Sequence, residues 1–378
     1  MMSQSLPETW TLGMPIDALD TPVVVVDLTR LERNIRHMAE LATTARVSLR
    51  PHTKSHKTAA IARRQLAAGA HGITVAKLDE AEAYLSDGVD DIFVANEVAG
   101  PGKWARTAAL QKRASVAVGV DCLPAARGLE DAARAHGVTI PVLIEIDTGL
   151  HRAGLPPDAS VADLAEAIVG FGQLDLRGVF THAGHAYGAR DSDAVRQIGF
   201  DEARGAAAAA ELILARGIPC PVVSVGSTPT IRAVGAQPGA TELRPGNYVF
   251  FDRMQVALGA ATLDDCSMSI ITTVISRPTA DRIVVDAGSK TFALDRGAHG
   301  LEALPGFGYA PEPGLVLERL SEEHGVITAS GTTVAVGDRL RFQVNHACTV
   351  ANLAQALVGV RDGHVEEVMP ILVGGGGR

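Results

Sequence analysis

Three features of the sequence predict a (β/α)8 TIM-type barrel followed by a mostly-β domain: eight short β-branched runs, stretches of helical spacing between them, and a change of texture after about Asp252. The strand runs are residues 22–26, 47–51, 72–76, 91–95, 115–121, 141–147, 174–182 and 221–226. Each is rich in Val, Ile or Leu and is bounded by Gly, Pro, Asp or Asn, the pattern of strands buried on both faces. Residues 28–43, 58–68 and 200–216 carry apolar positions three and four apart, as amphipathic helices require. The third is so alanine-rich that it is expected to pack closely against its neighbours. A doubly wound open sheet is the alternative use of the same βα order.

Beyond Asp252 the helical spacing gives way to strand-like runs at 267–276, 282–286, 316–320 and 339–344, separated by Gly, Pro and Asp turns. The domains are expected at 19–250 for the barrel and 251–378, with residues 1–18, for the β-rich part, the division falling near the Pro245-Gly246-Asn247 turn. At 378 residues the chain is long enough for two such cores.

Composition excludes several functions. A net charge of -9 opposes non-specific nucleic-acid binding, which needs a basic face. No run is long and apolar enough for a membrane span, and the opening MMSQSLPETW lacks a basic stretch followed by an apolar one, so a cytoplasmic enzyme is expected. The four cysteines lie far apart, which argues against a disulfide framework.

In a barrel of this class the reactive groups sit where strands end and βα loops begin. Strand two ends in the octapeptide Arg50-Pro51-His52-Thr53-Lys54-Ser55-His56-Lys57, a concentration of bases in an acidic chain. Alone, it reads as a solvated basic helix start. A second feature changes that. Gly226-Ser227-Thr228-Pro229-Thr230 follows a valine run with small hydroxyl residues and a proline suited to a first helical position, and so offers free amides and hydroxyls to a phosphate. Alone, this would be an ordinary capped turn. The Arg244-Pro245-Gly246-Asn247 turn can add further amides. A lysine and a phosphate cradle at one mouth are what pyridoxal phosphate held as a Schiff base requires. Lys54, nearest the strand end, is the expected nucleophile, and Lys57, a helical turn on, is expected to point outward. In the second domain, His346 and Cys348 follow a strand run. If the extended conformation continues, their side chains share one face and form a half-site for zinc, the bland reading being a buried cysteine beside a surface histidine.

The motifs RPHTKSHK, EIDTGLHRAG, THAGHAYG, VSVGSTPT, EEHG (322–325) and NHAC together resemble the fold-type III pyridoxal enzymes with D-serine dehydratase-like or D-threonine aldolase-like sequences, from about Leu19 to the C-terminal region. The resemblance implies an alanine-racemase-like barrel, a metal-bearing β domain, a homodimer and a small D-amino acid substrate. It implies Lys54 as the Schiff-base lysine and Gly226, Ser227, Thr228, Gly246 and Asn247 as the phosphate site. Arg152 and Tyr187 would contact the cofactor ring and its phenolic oxygen, in an order left open. His346 and Cys348 would bind a divalent metal, zinc or manganese.

Two reactions fit this set. In β-elimination from D-serine or D-threo-3-hydroxyaspartate, Lys54 takes the α-proton and the metal activates the β-hydroxyl. In aldol cleavage of D-threonine or 3-hydroxy-D-aspartate, the metal acidifies the hydroxyl and a base such as His185, or metal-bound hydroxide, takes its proton. Cys348 and VGSTPT are similar to the dehydratase pattern; the lack of a tryptophan after Gly288 is unlike some dehydratases, and the TVANL tail (349–353) is similar to some aldolase-like chains. Elimination is preferred. An amino-acid racemase and a non-catalytic pyridoxal phosphate carrier are the further alternatives, with Glu97, His182 and Lys290 as possible contributors to specificity.

Overall fold

The computed structural model describes residues 10–235, 237–297 and 302–374. Residues 1–9, most of the segment inspected for a leader, lie outside the described residues. The described residues divide into two compact units, one within Arg36–Lys54 and Ile61–Gly246, the other within Met1–Ile35, Ser55–Ala60 and Asn247–Gly375.

The strands, in chain order, are β1 (Val23–Asp27), β2 (Ser48–Leu49), β3 (Ile73–Val75), β4 (Asp91–Glu97), β5 (Ser115–Val120), β6 (Ile140–Ile146), β7 (Leu174–Thr181), β8 (Val222–Val225) and β9 (Glu242–Leu243). In the first unit, β2 to β9 form one parallel sheet in the order β2-β9-β8-β7-β6-β5-β4-β3. A parallel bridge between His52, beyond the end of β2, and Thr74 of β3 closes the ring, so the sheet is the expected barrel. Its interior is filled by Phe93, Leu143 and Phe180, the two rings meeting edge to face at 5.0 Å. Gly119 makes room for this pair, since a Cβ there would lie 2.7 Å from the Phe180 ring. The helix Ser192–Leu214 starts eight residues before the alanine-rich run that announced it. Asp191 caps it, its side chain accepting the Ala194 N–H, and Ala203, Ala206, Ala209 and Ala210 form its buried side.

One strand differs from the sequence expectation. The run at 22–26 is not barrel strand one; β1 lies in the other unit, antiparallel to β10 (Met268–Thr279) and parallel to β17 (Ala356–Arg361). Its valines are buried, Val23 and Val25 packing with Leu19, Ile271, Val358, Val360 and Val365. A four-valine run followed by an amphipathic helix is locally identical to a βα unit, and only its distant partners decide which sheet takes it. The eighth barrel strand is β9, two residues long and too short to register as a strand by periodicity.

The remaining strands are β11 (Arg282–Val285), β12 (Gly308–Ala310), β13 (Leu315–Leu317), β14 (Arg319–Leu320), β15 (Gly325–Thr328), β16 (Arg339–Val344) and β18 (His364–Pro370). They complete a largely antiparallel sheet of order β13-β12-β16-β10-β1-β17-β18, from which β10 also continues through β11 to β15 and β14. Among the described residues no helix is long and apolar enough to cross a membrane.

Candidate active site

The bases of the octapeptide have separate fates. Arg50 is half-buried and ion-paired to Glu242 at 2.7 Å and Asp91 at 2.5 Å. His52 and Lys54 line a pocket of about 210 Å³ at the C-terminal end of the barrel strands, with Asn96, Arg152, His182 and Arg244. A 3-10 turn, Thr53–Ser55, carries Lys54 there, and the Thr53 hydroxyl anchors it by donating to the Thr74 carbonyl. The Lys54 N–H donates to His52 Nδ1 at 3.4 Å. Burial first, then Lys54, His182, Arg244 and Arg152, hold the His52 imidazole well below its usual pKa, so it adds no further positive charge at neutral pH. His56 is buried edge-on to Phe250. Lys57 does not point outward as the helical spacing suggested. It is only 8% exposed, at a positive φ of 47°, and its carbonyl accepts the Leu372 N–H, so no helix runs through it to turn its side chain to solvent.

Around Lys54 the charge is arranged to receive an anion. Arg244 is buried over Phe180 at 5.3 Å and Phe93 at 5.7 Å, and donates to the Thr181 carbonyl and to Ser224 Oγ. Arg152 reaches Glu145 at 3.5 Å. Burial, then the hydrogen bond and charge of Glu97, push Glu145 up to about 8, with Arg152 and Arg244 pulling the other way. Glu145 is therefore mostly protonated at neutral pH and adds little negative charge beside the two guanidiniums, of which Arg244 also feels Glu242 and Glu202. A lysine amine that shares a pocket with Lys77 and two arginines suits an anionic carbonyl compound.

The turn after β8 is held from behind. Gly226 adopts φ +109°, which glycine alone takes without strain. The wholly buried Glu202, on helix Ser192–Leu214, accepts from Ala183 N at 3.1 Å, Gly226 N at 2.9 Å and Thr230 Oγ1 at 2.9 Å, tying the segment after β7 to the segment after β8. Ser227 Oγ bonds to Thr230 Oγ1 and the Ala183 carbonyl. Thr228 Oγ1 is buried with no hydrogen-bond partner among the described residues, a deficit that a ligand oxygen would satisfy. The Gly226 N–H, committed to Glu202, is not one of the amides open to a phosphate. Tyr187 and His185 sit on the 3-10 turn Gly184–Gly188 and do not line the Lys54 pocket; the His185 ring packs against Gly149. Burial, the largest influence, holds His185 below the usual imidazole range.

In the other unit, the extended conformation does not continue past β16. His346 is the N-cap of helix Ala347–Leu353, and Cys348 lies in its first turn. The cap, not strand alternation, brings them together, with the Cys348 side chain near enough to bear on the His346 imidazole. Cys348 Sγ donates to Ser55 Oγ at 3.4 Å, and His346 Nδ1 lies 2.7 Å from Asp295 Oδ2. Asp252, buried, accepts from Ala347 N, Gln255 N and Asn247 Nδ2, so much of the Asn247 side chain's donor capacity is spent within its own unit. Among the described residues no group of three or more His, Cys, Asp or Glu could hold a metal. A nitrogen and a sulfur donor in contact suit a site whose other positions belong to water or substrate. Lys290 is exposed and paired with Glu323.

The alanine racemase N-terminal domain family matches residues 26–254, more than half the chain. The chain belongs to the fold-type III pyridoxal-phosphate enzymes. A putative serine dehydratase domain matches residues 267–360. D-threo-3-hydroxyaspartate dehydratase of Delftia sp. (strain HT23) is 38% identical over 348 residues, 87% of this chain and 91% of that protein. The structure of D-threonine aldolase from Filomicrobium marinum is similar at TM-score 0.91 and 32% identity, covering 97% of this chain and 98% of that one. A cysteine-to-alanine variant of D-threo-3-hydroxyaspartate dehydratase in the metal-free form is similar at TM-score 0.90 and 34% identity, over 96% and 100% of the two chains.

The side chains of Arg244 and Glu145 beside the Lys54 pocket, of Glu202 behind the turn and of Asp295 against His346 were not singled out from the sequence. Arg244 had one available signal, an arginine between apolar Leu243 and Pro245 at a strand end. For Glu202 and Asp295 there was none, since each acts through partners distant in the chain.

Proposed function

We propose that this fold-type III enzyme is a metal-dependent lyase for D-3-hydroxy amino acids, acting by β-elimination on D-serine or D-threo-3-hydroxyaspartate to give a 2-oxo acid and ammonia. The observation that carries the reading is Lys54, a primary amine in a small pocket with Arg152, Arg244 and a neutral His52. Pyridoxal phosphate, when bound, supplies an electron sink conjugated to the substrate α-carbon, and a divalent metal supplies Lewis acidity toward the β-hydroxyl. Lys54 would bind the cofactor carbonyl, and its free amine would take the substrate α-proton. Arg152 and Tyr187 orient the ring and its phenolic oxygen. Ser227 and Thr228, with the backbone of Gly246 and Asn247, hold the phosphate on the turn that Gly226 shapes, and the partnerless Thr228 hydroxyl supports that role. His346 and Cys348 hold the metal; a thiolate ligand favours zinc, with manganese second.

A second reading, aldol cleavage of D-threonine-type substrates to glycine and an aldehyde, is favoured by the likeness to the D-threonine aldolase structure. In it His185, kept neutral by burial, takes the hydroxyl proton. The reading includes a homodimer in the cytoplasm, and light scattering of the purified protein tests the dimer. The deciding assay incubates the protein with D-serine, D-threo-3-hydroxyaspartate and D-threonine, with L-enantiomers as controls, and scores 2-oxo acid and ammonia against glycine and aldehyde. Lys54→Ala is expected to lose turnover and the yellow cofactor colour together. A wild-type protein that binds the cofactor and releases none of these products would be a carrier, and the lyase reading would fall.

A further inference from the structure

Asp295 lies between the short helix Ser289–Phe292 and β12, and nothing in its neighbourhood, Leu294-Asp295-Arg296, marks it in the sequence. Two contacts to consecutive residues of the NHAC motif hold it. The Asp295 carboxylate lies 2.7 Å from His346 Nδ1. The Asp295 carbonyl accepts from Asn345 Nδ2 at 3.2 Å, while the same amide donates to the Gly306 carbonyl at 2.9 Å and its oxygen accepts from Arg253 at 2.6 Å. Asn345 therefore pins the backbone that presents the carboxylate. His346 is fixed independently, as the cap of a helix whose Ala347 N–H is held by buried Asp252.

A neutral imidazole carries one N–H, and an ionised carboxylate can only accept. With the carboxylate on Nδ1, the neutral ring keeps its one proton there, so Nε2 is the nitrogen that gives up its proton to a Lewis acid. Without Asp295 the ring could take either tautomer and rotate about χ2, and part of its population would turn the N–H toward the metal. The partly exposed carboxylate also makes Nε2 more basic and a stronger donor.

We propose that Asp295 is the positioning residue of the metal centre, fixing His346 as the Nδ1–H tautomer so that Nε2 is offered as ligand beside Cys348. The inference rests on the reading that His346 and Cys348 hold a divalent metal, and the test separates the two. Zinc affinity of the full-length, cofactor-loaded protein is measured by competition with a chromophoric chelator for the wild type, Asp295→Ala, Asp295→Asn and Cys348→Ala. Asp295→Ala is expected to bind zinc about 10- to 100-fold more weakly, the range seen when such outer partners are removed. Asp295→Asn should lose less, because its amide oxygen still accepts from Nδ1–H.

Nitrogen-15 spectra of the histidine rings should show His346 as the Nδ1–H tautomer in wild type and Asp295→Asn, and a mixture in Asp295→Ala. A purely structural role would instead lower the unfolding midpoint of the zinc-free variants and leave the tautomer unchanged. If the wild type binds one zinc, Cys348→Ala loses it, and Asp295→Ala binds as tightly as the wild type, the Asp295 assignment is overturned while the metal reading stands. If the wild type binds no zinc, or Cys348→Ala binds it equally well, both fall.

Discussion

Replacing Glu202 with leucine removes the acceptor shared by two backbone amides, Ala183 N and Gly226 N, and by the Thr230 hydroxyl. The hydroxyl has a second outlet in the Ser227 carbonyl at 3.4 Å, so its loss costs little. The amides have none: each becomes a buried donor without a partner, at about 1–3 kcal/mol, or about 2–6 kcal/mol together. Glutamine behaves differently. Its carbonyl oxygen can take the place of Oε1 and keep both amides, while its NH2 donates to Thr230 Oγ1, which reverses direction toward Ser227. Burial already pushes the Glu202 carboxyl above its usual range, so removing the charge relieves part of that cost. Glu202→Gln should therefore stay within about 1 kcal/mol of the wild type, inside the spread of benign substitutions. The assay is urea unfolding of all three proteins, paired with the dissociation constants of pyridoxal phosphate and of pyridoxal. Glu202→Leu should lose stability, and should lose affinity for the phosphorylated cofactor more than for the alcohol. A leucine variant as stable as the glutamine one, with unchanged discrimination, would falsify the view that Glu202 sets the phosphate turn.

Glu145 makes stability depend on pH. Its folded-state pKa is raised to about 8, so the folded chain retains a proton that the unfolded chain releases near the ordinary value. Its contribution is fully present below the unfolded pKa and declines as pH rises to about 8, at no more than about 1.4 kcal/mol per pH unit. Unfolding free energies measured from pH 5 to 9 should show this decline in the wild type, and Glu145→Gln should be flatter; parallel curves would rule out the shared-proton pair. Gly226→Ala places a side chain at φ +109° and a Cβ 2.8 Å from the Ile231 tip. Ile231 can shift, so backbone strain dominates at about 1–3 kcal/mol. Calorimetry should show a lower unfolding temperature and a weaker preference for pyridoxal phosphate over pyridoxal; an unchanged protein would mean that the turn does not need glycine.

Much of the barrel was legible because its signals are local. A run such as Val-Leu-Ile-Glu-Ile in β6 pairs as a buried parallel strand wherever its neighbours are, and the residues after it fall at the mouth by connectivity alone. That logic found Lys54 in its pocket. It failed where local pattern and global pairing part company. Val23–Asp27 looks like a barrel strand and pairs elsewhere; Glu242–Leu243 looks like nothing and closes the ring. At His346 and Cys348 the side chains meet, but through a helix cap and not the strand alternation that suggested them.

The sequence by itself determined the βα order, the concentration of bases after strand two, the glycine turn after strand eight and the His-x-Cys spacing, because each lies within a few consecutive residues. Only the tertiary structure decided which charges are compensated: that His52 is neutral, that burial and Glu97 keep a proton on Glu145, that Glu202 clasps two loops, and that Asp295, 51 residues from His346, lies against its ring. A buried polar group takes whatever partner folding brings within about 3 Å, and chain separation carries no record of that choice.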